Sequence, residues 1–181
     1  MWRYPAEGTV TSGDVLDVLA RDHREIEAML GLLEEPHERE RLAAVLVATL
    51  VRHAIAEEEY VYPMVRDQVP DGDRIADRGM SQHAQVEETI QQIAGADPAD
   101  VTFARLLDAL SREVRRHVAH DEAELFPRLR RVCTTSDLMW LGERVARAKT
   151  PTLARAASAS QDTLIEQVRA ALQIREPGEP D

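Results

Sequence analysis

The sequence is short of several residue types, and each shortage excludes a class of protein. Its single cysteine, Cys133, allows neither an internal disulfide nor a cysteine-based metal cluster. Aromatic residues make up only 4% of the chain and glycine occurs 8 times, which argues against a β-sandwich or β-barrel. Apolar runs are short and none follows Met1, so we expect neither a membrane span nor a secretory signal, but a cytoplasmic protein.

Basic residues are also fewer than acidic residues. The 181 residues include 22 Lys and Arg against 33 Asp and Glu, a formal net charge of −11. A surface that acidic disfavours nucleic acid and anionic membranes as partners. What the chain does have is 44% hydrophobic residues, enough for a core, and a composition rich in good helix formers.

Apolar spacing predicts four long helices separated by turn residues. They run from Ser12 or Asp14 to a point before Pro36, from about Glu38 to Asp67, from about Asp73 to Ala94, and from about Asp100 to Arg131. Short turns between long amphipathic helices imply antiparallel neighbours. We therefore predict an all-α fold, an antiparallel up-down-up-down four-helix bundle over residues 12–132.

The remaining residues form an appendage to this bundle. We predict a helical extension over residues 133–175 and a disordered tail over residues 176–181. The extension could pack on the bundle or pair with a second chain in a homodimer.

The first two predicted helices resemble the third and fourth. His53 is followed four residues later by Glu57, and His117 is followed four residues later by Asp121. A proline comes ten residues after each of these histidines. The bundle is therefore interpreted as a duplicated helical hairpin with an approximate two-fold axis.

Each predicted helix carries one histidine on its apolar stripe: His23, His53, His83 and His117. His83, for example, is three residues from both Met80 and Val86, which are expected to point inward. The spacing of four places Glu57 and Asp121 on the same faces as the histidines that precede them.

The four histidines and two carboxylates would be costly to bury without partners. An unpaired buried polar group costs about 1–3 kcal/mol, so six together cost on the order of the 5–15 kcal/mol that stabilises a whole domain. A metal centre removes this cost, because it accepts imidazoles and neutralises carboxylates. The donor set exceeds the needs of one ion and suits two ions of iron or manganese, with zinc as the fallback. The alternative is a metal-free interaction bundle in which the histidines only pack.

Four ordered motifs carry a resemblance to a known family. They are Asp22-His23-Arg24-Glu25-Ile26, His53-x-x-x-Glu57-Glu58 with Tyr62-Pro63, Gln82-His83, and His117-x-x-x-Asp121-Glu122 with Phe126-Pro127. The set resembles the hemerythrin-like, or HHE cation-binding, family. The resemblance implies a non-haem centre of two iron ions, bridged by carboxylates and often by an oxo or hydroxo group. It also implies O2, H2O2 or NO as the small ligand.

The resemblance also implies roles for individual residues. His23 and His53 would be terminal ligands from the first hairpin, with His83 and His117 as their counterparts. Glu57 would bridge the ions. The second bridge would be Asp121, as the repeat indicates, or Glu122, five residues after His117.

The chain departs from this family at one position. Members that carry O2 have a further histidine four residues before the third-helix histidine, and Gly79 stands there instead. Glu87, four residues after His83, is an alternative oxygen ligand. Tyr60, seven residues after His53, is a candidate phenol in the pocket, although packing is its simpler role. Fewer nitrogen ligands favour turnover or sensing over reversible O2 storage.

Two functions follow as hypotheses. The leading one is a di-iron protein that handles O2, peroxide or NO in oxidative stress; if it is an enzyme, it would be a catalase- or peroxidase-like oxidoreductase. The alternative is a metal-dependent sensor or binding module without turnover.

Overall fold

The computed structural model describes residues 13–33, 39–97 and 99–148, and all regular elements in these ranges are helical. The α-helices are α1 (Val15–Leu32), α2 (Arg39–Ala56), α3 (Tyr62–Gln68), α4 (Gly72–Ala94), α5 (Val101–His120), α6 (Phe126–Val132) and α7 (Thr135–Ala148). Single π-helical turns, Glu57–Val61 and Asp121–Leu125, join α2 to α3 and α5 to α6. Four helical rods result, α1, α2–α3, α4 and α5–α6, so the predicted all-α four-helix bundle is confirmed.

Aspartate side chains fix where several helices begin. Asp14 caps α1, where its carboxylate accepts hydrogen bonds from the backbone N–H groups of Leu16 and Asp17 at 2.9 and 3.0 Å. Asp100 caps α5 in the same way, accepting from the N–H of Thr102 at 2.7 Å. The first helix therefore uses Asp14 rather than Ser12 as its cap.

The core consists of two apolar clusters. One surrounds Ile26, Leu46 and Ile90, towards the end where α1 leads into α2 and α4 into α5. The other surrounds Leu19, Ile75 and α7, towards the opposite end. Buried polar residues lie between the two clusters. In the part of the chain that the structure describes, no helix combines the length and apolar character needed to cross a membrane.

The described part of the C-terminal extension packs on its own bundle. Leu138, Leu141 and Val145 of α7 are buried in the second apolar cluster. A Cβ atom on Gly142 would lie 2.5 Å from the carbonyl oxygen of Gly13, so glycine permits α7 to cross the start of α1 at backbone contact. The predicted continuation of the extension to residue 175 and the tail 176–181 lie outside the described residues, and the homodimer stays a prediction.

One inward assignment on α4 is wrong. Met80 is 42% exposed, and its sulfur lies 3.6 Å from the guanidinium of Arg66. The other residues predicted to point inward are buried: Val86, Ile90 and Ile93. The same buried stripe also includes Ile75, Gly79 and Gln82. His83 lies at the edge of this stripe, with 9% of its side chain exposed.

Candidate metal centre

Five buried side chains meet in the polar layer between the two apolar clusters. They are His23 on α1, His53 on α2, Glu57 at the start of the first π turn, His117 on α5, and Asp121 at the start of the second π turn. One nitrogen or oxygen atom from each lies within 4.8 Å of all the others. The structure thus brings together five of the residues proposed from the sequence as metal ligands.

The two carboxylates lie between the imidazoles. Glu57 Oε2 is 3.3 Å from His117 Nε2, and Glu57 Oε1 is 3.5 Å from His53 Nε2. Asp121 Oδ2 is 3.1 Å from His117 Nε2 and 3.9 Å from His23 Nε2. Each carboxylate therefore contacts a histidine of its own hairpin and one of the other hairpin.

His83 joins this group from α4. Its Nε2 atom lies 3.2 Å from Glu57 Oε2 and 3.2 Å from His117 Nε2. All four predicted histidines therefore direct a ring nitrogen towards the same volume.

The opposite ring nitrogens of two of these histidines are held by carboxylates outside the cluster. His23 Nδ1 lies 3.0 Å from Glu122 Oε1, and His83 Nδ1 lies 2.7 Å from Glu58 Oε1. Glu58 and Glu122 occupy equivalent positions in the repeat, and each reaches the histidine of the other hairpin. An acceptor at Nδ1 fixes the ring orientation and directs Nε2 inward.

Glu122, Glu87 and Tyr60, the other candidates, lie outside the cluster. Glu122 binds His23 from the outer side and also pairs with the Arg24 guanidinium. Glu87 is exposed and accepts a hydrogen bond from Gln91 at 3.4 Å. Tyr60 is half-buried and packs against the second apolar cluster. Asp121 rather than Glu122 is the second carboxylate in the centre of the layer.

Sequence reasoning gave Tyr62 no role in the site. Its hydroxyl donates a hydrogen bond to Glu57 Oε2 at 3.2 Å and lies 3.5 Å from His83 Nε2. In an α-helix the residues three and four after Glu57 would share its face, but the π turn adds one residue. Tyr62, five residues on, consequently takes the inward place that Tyr60 or Val61 would have held.

The repeat contained a signal for this arrangement. Tyr62 and Phe126 both follow an inward carboxylate by five residues and precede a proline. The Tyr62 ring lies against His83 with centroids 5.7 Å apart, and the Phe126 ring stacks on His23 at 5.6 Å. An aromatic ring from each hairpin thus backs a histidine of the other.

Gly79 provides the space for the Tyr62 hydroxyl. A Cβ atom at residue 79 would lie 2.2 Å from the Tyr62 hydroxyl oxygen and 2.6 Å from Cζ. The place where the sequence resemblance would lead one to expect a histidine side chain is therefore filled by a phenol from the neighbouring helix.

Burial and proximity shift the proton affinities of the cluster in the metal-free chain. Burial, and then the neighbouring His53, lower the pKa of His23 to about 4. Burial opposes the charge on His83, but its hydrogen bonds to the carboxylates of Glu57 and Glu58 outweigh burial and raise the pKa to about 9. Burial and the nearby Glu57 raise the pKa of Asp121, whereas the surrounding histidines hold the pKa of Glu57 well below its usual range despite burial.

Several polar atoms of the cluster have no hydrogen-bond partner. These buried atoms are His23 Nε2, His53 Nε2, Glu57 Oε1, and both carboxylate oxygens of Asp121. Each is a nitrogen or oxygen with a lone pair, and together they face one another. Because an unpaired buried polar atom is costly, this donor set fits a bound cation, and its mixture of imidazole and carboxylate suits a transition metal.

A cavity of about 100 Å³ reaches the cluster from one side. His53, His83 and His117 line it, together with apolar side chains of the first apolar cluster. Its exposed members are Glu58 and Glu87. A single water needs about 10–15 Å³ by this kind of measure, so the cavity has room for a small molecule beside the cluster.

Comparisons with known proteins agree with this description. The sequence profile of the hemerythrin HHE cation binding domain matches residues 14–129. In fold, the chain resembles a hemerythrin HHE cation binding domain-containing protein from Mycobacterium kansasii, with a TM-score of 0.71, 18% identity, and coverage of 86% of this chain and 99% of that one. A DNA nickase of Nostoc sp. strain PCC 7120 is 25% identical over 120 residues, which cover 65% of this chain and 34% of the relative. The chain thus spans about a third of that protein's length, whereas the profile match contains the whole buried cluster.

Proposed function

The chain belongs to the hemerythrin HHE cation binding domain family, and from that premise we propose that it is a non-haem di-iron protein that binds O2 or reacts with peroxide or nitric oxide. The observation that supports a metal site is the set of buried, unpaired nitrogen and oxygen atoms at the centre of the bundle. Iron is the proposed metal, with manganese or zinc as alternatives, since all three accept mixed imidazole and carboxylate ligands.

The arrangement of the donors supports two ions rather than one. We assign His23 and His53, whose ring centroids are 5.0 Å apart, to one ion. His83 and His117, whose centroids are 4.5 Å apart, are assigned to the other. A carboxylate that contacts histidines of both hairpins is suited to bridge two ions, and Glu57 and Asp121 both meet this condition.

Tyr62 is proposed to hold a proton beside the bound ligand. Burial, and then the charge of Glu57, raise the pKa of the phenol, so its hydroxyl stays protonated in the metal-free chain. The hydroxyl lies within hydrogen-bond distance of Glu57 and close to His83. It therefore places a proton at the His83 side of the centre, and turning the O–H away from Glu57 would let it donate to a small ligand there.

Two bound irons would supply the electrons for O2 or peroxide chemistry, and the chain itself provides the environment. Apolar clusters above and below the polar layer exclude bulk water. Glu122 and Glu58 hold the imidazoles of His23 and His83 in one orientation, which would keep these two donors in place when the metal's charge changes. In this proposal the metal would supply electrons, while the bundle orients the ligands, places a proton and excludes water.

A sensor without turnover is a second candidate, favoured by the position of α7. This helix contacts the π turn Glu57–Val61, which carries the carboxylate at the centre of the cluster. A change in the ligands of the metal would therefore shift the π turn and alter its contact with α7. Sustained O2 evolution from H2O2 would favour the enzyme over the sensor.

Metal analysis of protein expressed with iron tests the proposal. We expect about two irons per chain, and new near-ultraviolet and visible absorption when an anaerobic ferrous sample meets O2. A Glu57→Ala variant should lose this iron, whereas Glu88→Gln, a matched exposed carboxylate on α4, should keep it. Less than about one iron per chain, or equal iron in both variants, would count against the proposal.

A further inference from the structure

The walls of the cavity beside the cluster are mostly apolar. Ile26, Leu50, Val86, Ile90 and Val114 line it, from four different helices. Such a wall offers no hydrogen bonds to replace the hydration of an ion, so charged molecules are disfavoured inside it. Small uncharged molecules lose little by entering.

The cavity approaches only one side of the cluster. His53, His83 and His117 line it, whereas His23 does not. His23 is fully buried, with the Phe126 ring stacked on it and the Arg24–Glu122 pair outside. The approach therefore leads to the side of the site formed by His53, His83 and His117.

The rim of the cavity is acidic. Glu58, whose side chain is 40% exposed, and the exposed Glu87 both line it. In the equivalent half of the repeat an arginine, Arg24, pairs with Glu122, but the residue that corresponds to Arg24 beside Glu58 is Ala84. The rim thus adds local negative charge to a chain whose net charge is −11.

We propose that this cavity is the entry route for external ligands, that it delivers them to the side of the centre formed by His53, His83 and His117, and that Glu87 at its rim selects small uncharged molecules over small anions. The inference rests on the proposed di-iron function and adds to it a selection against anions, while neutral species such as NO, O2 or H2O2 enter. Anions of the same size, such as azide, are expected to enter slowly.

The effect of the rim charge can be tested with one anionic probe and one neutral probe. Azide and NO binding to the iron-loaded protein are followed by stopped-flow absorption, in wild type and Glu87→Gln. In water, a unit negative charge about 5 Å from an anion lowers the local concentration of that anion about fourfold. We therefore expect Glu87→Gln to raise the azide association rate about fourfold at low salt, less at high salt, and to leave the NO rate unchanged.

A neighbouring carboxylate provides the control. Glu88→Gln removes the same charge from the next residue of α4, which does not line the cavity, and should change the azide rate much less. An unchanged azide rate in Glu87→Gln, or an equal rise in Glu88→Gln, would overturn the proposal. Loss of iron from Glu87→Gln would assign that carboxylate to the metal and overturn its role at the rim.

A readout without iron separates this inference from the proposed function. Xenon binds dry apolar cavities of this general size, and its uptake by the metal-free protein can be followed by xenon NMR. Val51 lines the cavity and is half-buried, so Val51→Trp should abolish xenon uptake, whereas Val101→Trp at a 64% exposed position should not. Failure to load iron would refute the proposed function, while xenon uptake unaffected by Val51→Trp would refute the route alone.

Discussion

Substitution of Gly79 by alanine tests the packing of Tyr62 over the cluster. The new Cβ would lie 2.2 Å from the phenol oxygen and 2.6 Å from Cζ, both at least 0.8 Å inside an ordinary contact of about 3.4 Å. The ring is almost fully buried, so it can move only by displacing its neighbours. Such overpacking costs about 1–3 kcal/mol, against a gain of about 1 kcal/mol from replacing glycine inside a helix.

We therefore expect Gly79→Ala to lower the free energy of unfolding by about 0–2 kcal/mol. Gly31→Ala is the matched control, because Gly31 is also helical and a Cβ there would meet no atom within 4 Å. That substitution should raise the free energy of unfolding by up to about 1 kcal/mol. Urea unfolding of both variants, with unchanged slopes, measures the difference.

A double variant shows whether Tyr62 is the cause. In a Tyr62→Leu background the phenol is absent, so Gly79→Ala should become stabilising, like Gly31→Ala. The displaced ring should also change the absorption of the metal-loaded single variant. If Gly79→Ala stabilises the wild-type chain as much as Gly31→Ala does, the phenol does not fill the space beside Gly79 and its proposed role fails.

Three further predictions concern proton linkage, the outer ligands and the extension. In the metal-free protein, His23 takes up a proton on unfolding between pH 4 and 6.5, and His83 releases one between pH 6.5 and 9. Stability should therefore rise with pH through the first window and fall through the second, by on the order of 3 kcal/mol each; urea midpoints that do not vary with pH would contradict this. Glu122→Gln removes the carboxylate that holds His23 Nδ1 and should weaken metal affinity about 10- to 100-fold, as measured by competition with a chelator. A metal affinity equal to that of the control variant Glu88→Gln would refute the role of Glu122. Gly142→Ala places a Cβ 2.5 Å from the backbone oxygen of Gly13, just before α1, and should lower the thermal midpoint by several degrees, because backbone cannot move aside as a flexible side chain can. A midpoint at or above that of wild type would show that α7 does not cross α1 this closely.

The sequence by itself determined the helices and the inward residues of the polar layer. Spacings of three, four and seven place side chains on one face of any helix, so the apolar residues around His23, His53 and His117 predicted their direction without knowledge of the fold. The same geometry placed Glu57 and Asp121 beside them. Because these relations are local, they hold in the folded bundle.

Only the tertiary structure decided the features that depend on packing between helices. A π turn is not encoded by periodicity, and it brings Tyr62 rather than Tyr60 to the cluster. The reach of Glu58 and Glu122 across to the opposite hairpin depends on how the two hairpins are docked. The exposure of Met80, and of Glu87 at the rim of a cavity, depends on the neighbours that α4 packs against. Helical spacing fixes directions around one axis, but distances between atoms on different axes arise only when the helices pack together.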